Sequence, residues 1–89
     1  MSENREIRLK RLRLRSWRRG LKEMDLLLGT FADEKMASLS DEELDAHEAL
    51  MSEHDQDLLV WFTGQQDTPE ELKMALSRVQ DYFLSKKSA

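Results

Sequence analysis

The sequence predicts an all-α protein, a compact bundle of five short helices. Three observations carry that prediction. Apolar residues recur at three- and four-residue steps, helix-start signals stand ahead of those stripes, and the one stretch with an alternating pattern has no second strand to pair with. The 89 residues, with no cysteine, one proline and three glycines, read as a single helical domain, frayed at 1–5 and 86–89.

The first helix is placed over 4–18. Ile7-Arg8-Leu9 and Leu12-Arg13-Leu14 alternate, but Arg and Leu are good helix formers. On a helical wheel Ile7, Leu14 and Trp17 share one side and Leu9 and Leu12 the other, which implies a helix that is clamped between body and partner or packs imperfectly. A second helix over 21–37 follows from Leu21, Met24, Leu28 and Phe31, which step by 3, 4 and 3. A third over 41–52 starts at Ser40-Asp41-Glu42-Glu43, a capping box, and carries Leu44, His47, Leu50 and Met51 as its stripe. His47 is read as a half-buried core residue. A fourth over 56–63 takes Asp55 as its cap and Gly64 as its stop. The fifth, over 69–85, starts at Thr68-Pro69-Glu70-Glu71 with Pro69 in the first helical position. Leu72, Leu76, Val79 and Phe83 line it at steps of 4, 3 and 4.

Composition excludes several classes of function. Without cysteine there is no disulfide scaffold, thiolate metal site or cysteine nucleophile. No apolar run approaches the roughly 18 residues of a membrane span, so no membrane insertion is expected. His47 and His54 are seven apart, not the four of a zincin helix, and no metal site is expected. The serines lie in no GxSxG elbow, the glycines form no phosphate loop, and no carboxylate pair is marked by an apolar pocket. No catalytic residue is assigned, and the chain is not expected to be an enzyme.

Charge is sorted along the chain. Residues 1–22 carry a net +7 and residues 23–89 a net −11. The arm either packs on its own acidic body or meets an acidic partner. A small Arg-rich nucleic-acid-binding regulator is the alternative reading, since arginine is the usual donor to phosphate and guanine. The acidic body opposes it, and no nucleic acid is expected as partner.

Where arm meets body stands Arg18-Arg19-Gly20-Leu21-Lys22-Glu23-Met24-Asp25. Glycine costs a helix about 1 kcal/mol relative to alanine, so Gly20 needs a reason: a turn, or close approach of another backbone. If the segment is helical, Arg19 and Glu23 share a face beside the bare glycine.

Arg19-Gly20-Leu21-Lys22-Glu23 resembles the RGxxE signature of the succinate dehydrogenase flavinylation factors, called SdhE in bacteria and assembly factor 2 in mitochondria. Asp25 extends it to RGxxExD. Leu39-Ser40-Asp41-Glu42-Glu43 is similar to that family's helix start, and Glu53-His54-Asp55-Gln56-Asp57-Leu58, leading to Trp61, to its acidic loop before a tryptophan. The likeness covers roughly residues 12–84.

The resemblance implies a five-helix bundle that assists covalent FAD attachment to the flavoprotein subunit of succinate dehydrogenase and, in some bacteria, of the related fumarate reductase. It implies a chaperone with no cofactor of its own, FAD being carried by the partner flavoprotein. Arg19, Gly20, Glu23 and Asp25 become the partner-binding residues. Arg19 is then expected to fork onto a partner carboxylate or carbonyl, with Glu23 fixing it or accepting from the partner. A monomer in solution is expected. With the motif beginning by residue 19 and Glu3 and Glu6 ahead of it, no transit peptide is expected, and the reading is a bacterial cytoplasm.

Overall fold

In the computed structural model, residues 3–88 are described, with side chains through residue 85. The order is α1 (Arg5–Ser16), α2 (Lys22–Glu34), α3 (Asp41–Met51), α4 (Asp55–Phe62) and α5 (Lys73–Ser88), with single 3₁₀ turns at Met36–Ser38 and Glu70–Leu72. Among the described residues there is no strand. The five-helix reading stands.

Each boundary has a local cause. Asn4 starts α1, its side chain accepting from the Ile7 N–H at 2.8 Å. Arg5 is anchored as well, on Asp41 at 2.6 Å and on the Leu39 carbonyl, so the expected fraying does not reach residues 4 and 5. Residues 1, 2 and 89 lie outside the described part. The capping box of α3 is complete: Ser40 Oγ accepts from the Glu43 N–H at 3.1 Å, and Glu43 accepts from the Ser40 N–H at 2.8 Å. Gly64 ends α4 at φ +78°, with its N–H on the Trp61 carbonyl and the Gln65 N–H on that of Val60.

Three boundaries differ from the sequence reading. Pro69 has ψ 143°, outside the helical region, and precedes a 3₁₀ turn instead of opening the helix. The α-helix starts at Lys73 and continues through Ser88, over part of the tail expected to fray. At α4 the flanking residue is His54, and no side chain caps the helix end. Asp55 is already helical, and its carboxylate is engaged elsewhere.

The core is drawn from all five helices. Leu12, Met24, Leu28, Phe31, Leu44, Leu50, Met51, Leu58 and Val79 are fully buried. His47 is fully buried too, deeper than expected, its ring 5.0 Å from Phe31. Burial first, and the nearby Arg78 charge second, lower its pKa to about 4, so it is neutral at pH 7.

α1 divides as its wheel predicts. Leu12 is buried and Leu9 packs against the core, while Ile7 and Leu14 are 55% and 52% exposed. Trp17 turns back onto α2. Its indole lies over Gly29, where a Cβ would fall far inside van der Waals contact with the ring, and Nε1 donates to Asp33 at 3.3 Å. Gly29 therefore gives up helix propensity to seat an aromatic ring.

The basic arm packs largely on its own body. Arg8 bonds Glu48 at 2.9 Å and Asp45 at 2.7 Å, Arg11 reaches Glu48 at 3.2 Å, and Arg13 pairs with Asp33 at 2.6 Å. The Glu48 carboxyl sits below its usual pKa. Partial burial alone would raise it, but Arg11 and Arg8 outweigh that. α1 is thus a strut across α2 and α3, with most of its arginines already paired to the chain's own carboxylates.

Candidate functional site

The segment from Arg19 to Leu21 lies between α1 and α2 and is not helical. Leu21 is extended, at φ −112° and ψ 134°, and α2 begins one residue later. The i, i+4 arrangement of Arg19 and Glu23 therefore does not form. Arg19 turns inward instead. Its Nε donates to Asp55 Oδ1 at 2.6 Å, Nη1 to the Met51 carbonyl at 2.6 Å and Nη2 to the Glu53 carbonyl at 2.8 Å. Its side chain is 9% exposed and that of Asp55 13%.

The same Asp55 carboxylate holds the backbone of the turn. Oδ2 accepts from the Gly20 N–H and, at 3.1 Å, from the Leu21 N–H. Asp25 completes the arrangement by accepting from the Arg19 N–H. Two carboxylates and one guanidinium thus fix three successive residues, with most of the donors and acceptors charge-assisted.

Gly20 acquires a specific reason here. A Cβ at this position would sit 3.1 Å from Asp55 Oδ2, so the close approach favoured by a bare Cα is to the chain's own carboxylate, which would have to give by a few tenths of an ångström. Its backbone conformation is not left-handed, so conformational freedom is not the cause. The residue remains exposed on its outer side.

The four residues expected to bind a partner therefore divide. Gly20 and Glu23 are exposed, and the Glu23 side chain makes no hydrogen bond or ion pair among the described residues. Arg19 and Asp25 are used inside the turn, and the fork expected to reach a partner is already closed on Asp55, Met51 and Glu53. Asp55 is the participant that the sequence reading missed. In the sequence it has the place of a helix cap, and its 36-residue separation from Arg19 leaves no local signal. Its place in the acidic loop before Trp61 was the available hint.

One hollow adjoins the turn, and a second lies among α2, α4 and α5. The first, of about 360 Å³, is lined by Leu14, Arg15, Arg18, Gly20, Glu53 and His54 beside the Arg19–Asp55 pair. The second, of about 610 Å³, runs among Glu23, Leu27, Leu59, Phe62 and Phe83, and is mainly apolar. Among the described residues no group of His, Asp and Glu is placed to hold a metal ion, and no helix is long and apolar enough to cross a membrane.

Comparison with known proteins identifies the family. The family described as "Flavinator of succinate dehydrogenase" matches residues 10–82. The chain belongs to this family. It is 40% identical over 90 residues to the mitochondrial succinate dehydrogenase assembly factor 2 of Candida glabrata, covering 93% of this chain and 59% of that one. The protein of the same name from Mycosarcoma maydis is 41% identical over 68 residues, covering 76% and 29%. That of Schizosaccharomyces pombe is 37% identical over 71 residues, covering 80% and 51%. The chain thus spans between about a third and three fifths of the length of these relatives. No solved structure matches. The expected bacterial cytoplasm is corrected by these relatives, which are named mitochondrial proteins of fungi. The position of a motif within a chain carries no information on compartment.

Proposed function

We propose that the chain acts as an assembly factor that docks on the flavoprotein subunit of succinate dehydrogenase and promotes covalent attachment of FAD to it. The family membership and the relatives' names support the assembly role. The observation that carries the docking reading is the braced turn at 19–21. Its backbone is held from inside by Asp55 and Asp25 while Gly20 and Glu23 face outward. A contact surface held in one conformation before binding loses less entropy on association.

In this reading Gly20 and Glu23 meet the partner, and Arg19 and Asp25 act as positioning residues behind them. The role is to hold the flavoprotein so that its own side chain meets the flavin, and the rate gain is one of proximity within the partner. FAD remains with the flavoprotein.

The test is co-expression with the flavoprotein subunit, followed by flavin fluorescence in a denaturing gel, which detects covalent flavin alone. Wild type is expected to give a fluorescent flavoprotein band. Glu23→Lys, at an exposed position with no partner to lose, is expected to fold normally and give a weak band. A normal band with this variant rejects Glu23 as a contact. A normal band without the chain at all rejects the function.

A further inference from the structure

We propose that the hollow between the end of α1 and the α3–α4 connection receives a short acidic segment of the partner protein, held by Arg15 and Arg18. The inference rests on the docking reading above and adds the chemistry of what is docked.

Five arginines of the arm, Arg5, Arg8, Arg11, Arg13 and Arg19, are paired with carboxylates of the chain. Arg15 and Arg18 are exposed and form no ion pair among the described residues, yet both line one hollow of about 360 Å³. The α1 dipole accounts for a cation at Arg15, in the last turn, but not for Arg18, which lies beyond the helix end. Two unpaired guanidinium groups at one cleft offer forked donors matched to carboxylates.

The remaining lining suits a peptide. Leu14 is 52% exposed at the rim and offers an apolar contact for side-chain stems. Gly20 leaves the approach to the turn free of a side chain, so an incoming backbone would touch this cleft and the braced turn together. The cleft holds about 360 Å³, and Glu53 stands in its wall. Beyond it lies a body of net −11. A short acidic segment places its charge at the two arginines and ends there, whereas a continuous polyanion would be driven onto the acidic body.

The experiment measures affinity between the full chain and the purified flavoprotein subunit over a range of salt. It uses Arg15→Gln/Arg18→Gln and, as a control of equal charge change, Lys10→Gln/Lys35→Gln, each checked for folding by thermal melt. The arginine pair is expected to lose about tenfold in affinity and much of the salt dependence, the lysine pair little of either. Equal losses from both pairs would assign the effect to overall charge and overturn the proposal. Unchanged affinity in the arginine pair, with binding lost in Glu23→Lys, overturns the acidic-segment site and leaves the docking reading intact. Unchanged affinity in all three variants overturns both. A short single-stranded oligonucleotide that binds wild type more tightly than a glutamate peptide of the same charge would also overturn it.

Discussion

Replacing Asp55 with Asn tests the brace most directly. The amide keeps the shape but removes the charge facing Arg19, whose side chain is only 9% exposed. Removing one member of a desolvated ion pair costs about 3–5 kcal/mol. Arg19 retains the Met51 and Glu53 carbonyls, and water reaches the exposed Gly20 N–H, so the lower end applies, about 3 kcal/mol. For a domain of this size each kcal/mol lowers Tm by about 4–8 °C, giving a fall of about 12–24 °C. The assay is urea and thermal unfolding followed by circular dichroism, in a cycle with Arg19→Met and the double variant. A coupling energy of about 2 kcal/mol is expected between the two positions. A cost below about 1 kcal/mol for Asp55→Asn, with coupling near zero, would class the pair with exposed surface bridges and refute the reasoning.

Three further outcomes follow from the packing. Gly29→Ala ordinarily gains about 1 kcal/mol in a helix, but here the methyl meets the Trp17 indole, and a net loss of about 1–3 kcal/mol is expected. Unfolding curves together with a red-shifted Trp17 emission in a Trp61→Phe background check it, and a stabilised variant contradicts it. His47 has a folded pKa of about 4 against an ordinary 6.5, so the unfolded chain binds its proton first. Its contribution is intact above pH 6.5 and is lost as pH falls through about 4, up to about 3 kcal/mol. His47→Leu should flatten stability over that window, and an unaltered pH profile would show that the ring is not buried as described. Glu48→Gln removes the negative charge shared by Arg8 and Arg11 and should cost about 1 kcal/mol at low salt and less at high salt. Equal costs at both would disagree with an electrostatic origin.

What the sequence disclosed was local. The Ser40–Glu43 box, the Gly64 stop and the apolar steps of α2 and α5 depend on neighbours within one or two turns, and each appears where its spacing placed it. Asp55 shows the opposite case. At a helix start an aspartate has a ready local role as cap, and nothing nearby reveals that Arg19, 36 residues earlier, offers a charged donor instead. Pro69 likewise satisfies the rule for a first helical residue, yet Leu72 bonds back to its carbonyl and a 3₁₀ turn comes first. At the RGxxE segment the residue types were legible, but the direction of the Arg19 side chain was not. That direction depends on carbonyls of the α3–α4 connection, which only the assembled bundle brings near.

The engagement of α1 with α3 also bears on how far the molecule tolerates trimming. Its arginines neutralise Asp41, Asp45 and Glu48, and its inner face places Leu12 and Ser16 in the interior. Cutting the arm away would leave three carboxylates repelling one another above an open hole. α1 is thus a keystone: a version shortened to the glycine motif would forfeit the scaffold that presents it.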